Sequence, residues 1–381
     1  MQYDYIIAGA GAAGLSLAFY MAKSELKNKK VLLIDKGSKN RNDRTWCFWQ
    51  AGISPYEEIL HHQWENIFFR SKNFTATIPI EPYRYKMIRG EDFYAFTQSY
   101  IQKNTHYEFL QTEISDIDAE KNLVCTKEDN FEAEFIFDST WQMGYTPPKQ
   151  AGYHYFYQHF KGWFIETPQA VFDATTMYYM DFAVPQKERE VRFGYVLPFS
   201  DTRALVEFTI FSDNLLSEQE YIAELRNYLE NILKITDYHI YEEEFGIIPM
   251  FDAPFSRQMS EKIIPIGTKA GAAKSSTGFA FDRMQRESQV IVQDLLAGKT
   301  PTMRKYRGKY ALYDSALLNV IAENRLPSQE IFGRMFAKHP HSRIFRFLDE
   351  ESSFWKDDLP IMAKMPWKPF VEAIVQNFWN R

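Results

Sequence analysis

Tyr5-Ile6-Ile7-Ala8-Gly9-Ala10-Gly11-Ala12-Ala13-Gly14, followed by Val31-Leu32-Leu33-Ile34-Asp35, is the stretch from which the fold can be read. An apolar run enters a glycine-rich turn, and the turn opens a helix expected over residues 13–23. A second apolar run then ends in an acid about 20 residues past the turn. Gly9 permits the tight turn, Gly11 leaves room for a pyrophosphate against the backbone, and Gly14 lets helix and sheet pack closely. The free N–H groups of the first helical turn, Ala13 among them, attract phosphates. Asp35, followed by Lys36, stands where ribose hydroxyls would donate. Strand, turn, helix, strand and acid in this order predict a Rossmann-type dinucleotide unit in an α/β protein.

Working outward, the chain of 381 residues is long enough for two domains, or for one domain with a sizeable insertion. Its net charge of −6 argues against nucleic acid as a partner. Two distant cysteines, Cys47 and Cys125, give neither a disulfide framework nor metal spacing, which fits a reducing cytoplasm and no metal site. The first residues lack the features of a signal peptide, and no apolar run reaches the roughly 18 residues of a spanning helix. Aromatic residues are abundant at 17%, and they need an explanation.

After the first unit, the block Asn42-Asp43-Arg44-Thr45-Trp46-Cys47-Phe48-Trp49 is expected as a loop near the ribose and pyrophosphate. There Arg44 either pairs with a phosphate or makes a surface salt bridge. Residues 68–70 and 74–78 read as strands, 89–102 as a helix, and 135–140 as an apolar strand. That strand ends in Asp138 and either closes the back of the nucleotide domain or is any buried strand with a turn. From Tyr153 the pattern becomes β-rich, with strands over 153–160, 175–184, 191–197 and 204–211. They suggest an antiparallel sheet inserted into the first domain. A helix over 217–233, opened by the capping box Ser217/Glu220, and a strand over 244–250 complete it. The chain returns at Ile263 with a second glycine-rich loop containing Gly267, Lys274, Thr277 and Gly278, which leads into a helix over 281–296. Residues 303–381 read as helices broken at Pro327, Pro340, Pro360, Pro366 and Pro369.

Several stretches together carry a family resemblance: GAGAAG with VLLIDK at 31–36, NDRTWCFW at 42–49, MDF at 180–182, FGYVLP at 193–198, ALVEFTIF at 204–211, EEEFGIIPM at 242–250 and IGTKAGAAKSSTGFAF at 266–281. The chain resembles the FAD-dependent lycopene cyclases of bacteria and plants over about residues 4–290, and more loosely to the end. The resemblance implies a glutathione-reductase-like FAD domain (1–75, 85–148 and 255–302), an inserted antiparallel substrate domain (76–84 and 149–254) and a helical C-terminal region (303–381). It implies β-cyclisation of lycopene or a related acyclic carotene, with the flavin reduced and no net oxidation. Gly9, Gly11, Ala13, Gly14, Asp35, Lys36, Arg44, Asp138, Gly267, Lys274, Thr277 and Gly278 would then line the cofactor. Where many members carry a histidine, this chain has Lys274, expected either at the flavin pyrimidine edge, favouring an anionic reduced flavin, or in solvent.

Cyclising a polyene end needs an acid for a terminal double bond, protection of the resulting cation, and a base. A carboxyl group in an apolar site stays protonated near neutrality, and aromatic faces or an electron-rich flavin stabilise a cation. Glu207 shares its strand face with Leu205, Thr209 and Phe211, and so is either a working acid or the partner of Arg192 or Arg203. Asp181 is similarly placed, expected within reach of Glu207; Glu244 ranks third and Glu243 fourth. The aromatics at 153–157 and 178–179 suit a conjugated hydrocarbon and cross-strand packing equally well. The stretch 354–370, mixing Trp, Phe, Met and Lys, suits either a peripheral membrane surface or a helical plug. With no second glycine-rich nucleotide unit, electrons for the flavin would come from an external donor such as NAD(P)H. The rival activities on this architecture are a flavin monooxygenase and an isoprenoid reductase; a carotenoid-binding flavoprotein without activity is a third reading.

Overall fold

The computed structural model describes residues 2–255, 260–301 and 308–381. Gln2–Ala8 lies central in the first sheet, parallel to Val31–Asp35 on one side and Asn130–Asp138 on the other. Tyr107–Gln111 and Ile263–Pro265 extend the parallel set at its two sides. Ile114–Asp118 and Leu123–Thr126 add an antiparallel arm along the first half of Asn130–Asp138. The inner strands are covered on both faces, so they read as unbroken apolar runs rather than as an alternation. On one face the helix Ala12–Ala22 packs with Gly90–Gln102 and Phe281–Leu296. This is the predicted dinucleotide unit.

The second sheet has seven strands in the order His239–Phe251, Tyr155–Glu166, Arg203–Ser212, Val191–Pro198, Thr176–Asp181, Asn66–Ser71, Phe74–Pro79. All neighbours are antiparallel except Thr176–Asp181 with Asn66–Ser71. The last two strands correct the expected boundary. Residues 66–75 lie in this sheet and not with the nucleotide unit, because the hairpin 66–79 pairs along its whole length and cannot be divided at 75. Phe69 anchors it against Phe182 and Phe336. The expected boundary at 302–303 lies outside the described residues.

One face of the second sheet is covered by the helix Glu218–Asn227 and the turn Tyr228–Ile232, with the predicted Ser217/Glu220 capping box formed. The other face looks towards a small sheet of Thr45–Ala51, Tyr83–Arg89 and His62–Trp64, and towards the helices Ser328–Lys338 and His341–Leu348. The aromatic block at 42–49 is therefore only partly a loop: from Thr45 onward it is a strand paired with Tyr83–Arg89. The prolines of the C-terminal region stand at helix starts, as at Pro327, Pro340 and Pro366, where a fixed φ and a missing N–H cost nothing.

Candidate active site

Between the nucleotide unit and the inner face of the second sheet lies a cavity of about 1560 Å³ including its open mouth. One wall comes from Asp43–Cys47, another from Thr268 and Ser276–Phe281, and the floor from the second sheet. Aromatic side chains dominate it, Trp46, Tyr85, Tyr179, Phe193, Tyr195 and Phe279 among them.

The cofactor candidates divide into those that form a nucleotide cradle and those that do not. Gly9 has φ +96°, a left-handed conformation that suits glycine. A Cβ on Gly14 would stand 2.1 Å from the Gly9 carbonyl oxygen, so helix and turn meet only without it. A Cβ on Gly11 would meet nothing within 4 Å, leaving an open hollow at the start of the helix. Asp35 accepts from the amides of Ala10 and Gly37, both at 2.7 Å, and pairs with Lys39 at 3.0 Å. Lys39 was not foreseen; Lys36 is exposed instead. A Cβ on Gly267 would lie 2.5 Å from Ala13 Cβ, so the second glycine-rich loop closes on the first helical turn, and Thr268 continues from there into the cavity. Arg44, Thr277 and Gly278 also line the cavity, and the buried Thr277 hydroxyl has no partner among the described residues.

Two cofactor expectations are corrected. Asp138 is fully buried, ion-paired with Lys269 and bonded to the Thr140 amide and hydroxyl at 2.9 and 2.6 Å. It ties the strand end together, its carboxylate taken up by its own turn and by Lys269. Lys274 points away from that cavity: its ammonium reaches Asp314 at 2.9 Å and Glu350 at 3.1 Å. The C-terminal region supplies those carboxylates, Asp314 from a helix and Glu350 from the turn after His341–Leu348, and nothing in the local sequence announced them.

The acids separate in the same way. Glu207 and Glu244 both line the cavity. They lie in one row with Tyr195 and Gly162: Tyr195 opposes Glu207, Glu207 opposes Gly162, and Gly162 opposes Glu244. Burial, and then the charge of Glu244, push the Glu207 carboxyl well above its ordinary range. Thr209 Oγ1 donates to Glu207 at 3.3 Å and Thr45 Oγ1 to Glu244 at 2.6 Å. Neither suggested arginine pairs with Glu207: Arg192 holds Glu190 and Glu224, and Arg203 holds Glu166. Asp181 does not join them. It is fully buried, ion-paired with Arg70 and hydrogen-bonded by Tyr228 at 2.9 Å. Tyr228 belongs to the helix-covered face, so Asp181 and Glu207 sit on opposite sides of the sheet. Glu243 pairs with Lys161 at 2.5 Å and is half-exposed. Gly162 and Thr45 were missed. An isolated glycine within a strand pattern was the available signal for the first.

A family model described as "Lycopene cyclase protein" matches residues 4–375. The chain belongs to the lycopene cyclase family. It is 25% identical to a lycopene beta-cyclase of a Paracoccus species, over 98% of this chain and 97% of that one. It is 24% identical to a chloroplastic neoxanthin synthase of Solanum tuberosum, over 81% of this chain. The chain spans about 63% of the length of that potato enzyme. Among solved structures, a geranylgeranyl bacteriochlorophyll reductase-like protein of Thermoplasma acidophilum superposes with a TM-score of 0.62 at 13% identity, covering 98% of this chain and 99% of that one. A probable FAD-dependent monooxygenase of Pseudomonas aeruginosa gives 0.55 at 12% identity, over 85% and 98%. These structures share the fold: a Rossmann-type flavoenzyme framework with an inserted sheet and C-terminal helices.

Proposed function

We propose that this chain is a lycopene β-cyclase, closing the linear ends of lycopene or a related acyclic carotene into β-ionone rings without net redox change. The observation that carries this reading is Glu207, a carboxyl group buried in an aromatic cavity, without an ion-pair partner among the described residues and with its titration pushed well upward. Such a group holds a proton at neutral pH and can deliver it to carbon. The proton goes to a terminal double bond, the neighbouring double bond attacks the resulting cation to form the ring, and a ring proton leaves. Atoms and electrons balance within the substrate. Tyr85, Tyr195 and Phe279 line the cavity and supply aromatic rings that can stabilise the cation.

The cradle at Gly9, Gly11, Ala13 and Gly14, with Asp35 beside it, fits the nucleotide half of FAD, and the cavity wall at Thr268 and Ser276–Gly278, next to Gly267 on the first helical turn, fits its flavin end. Bound there in its reduced form, FAD would supply an electron-rich ring system that stabilises positive charge. Arg44, exposed at the cavity wall, would meet its phosphates. Reduction would come from an external donor such as NAD(P)H.

No helix among the described residues is long and apolar enough to cross a membrane. The last helix, Trp367–Asn380, exposes Trp367, Phe378 and Trp379, and Trp355 lies exposed upstream, beside exposed Lys356, Lys364 and Lys368. This surface supports peripheral association of a cytoplasmic protein with the bilayer that holds the substrate. The deciding experiment is expression in a lycopene-accumulating cell with identification of the pigment. Ring closure at constant mass supports a cyclase; consumption of NAD(P)H in proportion to product would point to a monooxygenase or reductase instead.

A further inference from the structure

We propose that Glu207 and Glu244 form a carboxyl pair sharing one proton, assembled over Gly162 and polarised by the Thr45 hydroxyl. The two acids stand on strands that are not neighbours. Tyr155–Glu166 runs between them, and strands two apart are separated by roughly 10 Å at the backbone. Any side chain at the intervening position would keep the carboxyl groups apart. That position is Gly162, and a Cβ there would stand 3.0 Å from the Cγ atoms of both Glu207 and Glu244. The two side chains lean into the space that the missing Cβ leaves.

The hydrogen bonding is complete only if a proton lies between them. Glu244 Oε2 accepts from Thr45, but Glu244 Oε1 is buried and has no donor among the described residues. Among the described residues, neither acid has a cationic partner; Lys161, beside Gly162 in its strand, is on the other face with Glu243. The remaining groups facing the pair are the phenols of Tyr195 and Tyr85, which bond each other at 2.6 Å, the thiol of Cys47, and the hydroxyl of Thr209. Burial keeps the phenols and thiol neutral. Asp43 and Arg44 share the cavity, at its exposed wall. Two adjacent carboxylates in such a site cannot both ionise. A proton on Glu207 supplies the donor that Glu244 Oε1 lacks, and makes a charge-assisted O–H···O bond.

Thr45 decides which acid holds the proton. Its 2.6 Å bond stabilises charge on Glu244, whereas the 3.3 Å contact from Thr209 does less for Glu207. Glu207 is therefore the donor and Glu244 the charged member. When Glu207 gives its proton to the alkene, the carbocation formed beside the pair offsets the second negative charge, and the pair regains a proton when the ring releases one. One site thus acts as acid and then as base, and returns to its starting state. This catalytic role rests on the cyclase reading; the shared proton itself does not.

The test uses the full-length, flavin-loaded protein and the infrared C=O band of a protonated carboxylic acid, followed against pH. Burial pushes the carboxyls of Glu287 and Asp349 up to about 7, so the band of the pair is isolated as the wild-type minus E207Q difference. The expected result is an acid band still present at pH 7 in the wild type. In E244Q its midpoint should fall by about one pH unit or more, because the like charge is gone and an amide N–H can meet ionised Glu207. G162A, which separates the acids while leaving both in place, should shift it in the same direction. Flavin absorbance reports that each variant is folded. Absence of the band at pH 7 in the wild type, or an unchanged midpoint in both folded variants, overturns the pair. A band that behaves as expected in a protein that converts no carotene would leave the pair standing and remove the cyclase assignment.

Discussion

Replacing Lys274 by methionine separates a structural role for this side chain from a flavin-facing one. Lys274 is 4% exposed and sits among Asp314, Glu350 and Arg283, two cations against two carboxylates. Desolvation opposes ionisation of Glu350, but Lys274 and Arg283 outweigh it and hold the carboxyl below its ordinary range. Without Lys274, Glu350 keeps Arg283, while Asp314 keeps the 2.6 Å bond from the Ser276 hydroxyl and loses its cation. Leaving one buried charge uncompensated costs about 3–5 kcal/mol. Against a total stability of roughly 5–15 kcal/mol, this is a large part. The cost should shrink at low pH. The lowered carboxyl of Glu350 contributes stability in full above its unfolded-state value and loses it as pH falls through the folded one, so wild type and K274M should converge as pH falls to about 4 and below. The assay is chemical denaturation at pH 7 and pH 4, with D314N and the K274M/D314N double variant closing a cycle. The double variant should recover part of the loss. The reduction potential of the bound flavin should stay at the wild-type value. A K274M protein as stable as the wild type at pH 7, or one whose flavin potential moves while its stability does not, would refute this placement.

Other outcomes follow from the site. E207Q should lose cyclisation by at least about 100-fold, as for removal of a general acid, while flavin binding is retained; turnover near the wild-type rate refutes the assignment. Because Glu207 has a raised folded pKa, it makes folding less favourable as pH rises past the ordinary carboxyl range, so E207Q should gain thermal stability relative to the wild type from pH 5 to pH 8. D181N should lower stability by about 1–3 kcal/mol, by weakening the acceptor of the Tyr228 hydroxyl and the partly exposed Arg70 guanidinium, yet cyclise normally in whatever folds; a selective loss of turnover would put Asp181 back in the reaction. In liposome flotation the wild type should rise with the vesicles and a W367A/F378A/W379A triple variant should not; equal flotation of the two would place the contact elsewhere.

The dinucleotide unit could be recognised from residues 5–35 because it is local. The glycine turn, the helix it opens and the acid after the second strand all act within one βαβ unit, and each leaves its mark on a short window. The same holds for Glu207, whose strand neighbours already made an ionised carboxylate expensive, and for the capping box at Ser217. Pairing across the chain left no such mark. Asp181 and Glu207 look alike in a strand string, but period-two alternation cannot say which face of a sheet meets a cavity and which meets a helix; Tyr228 and Arg70 settle that from distant segments. Lys274 has its meaning from carboxylates 40 and 76 residues away. The hairpin 66–79 could not be assigned to a sheet until its partner Thr176–Asp181 lay beside it. Gly162 is the sharpest case. As a residue it is only an interruption in a strand, and it becomes the floor beneath two acids once three strands stand in register. Local chemistry travels with the residue, but the company a charge keeps is decided by the fold.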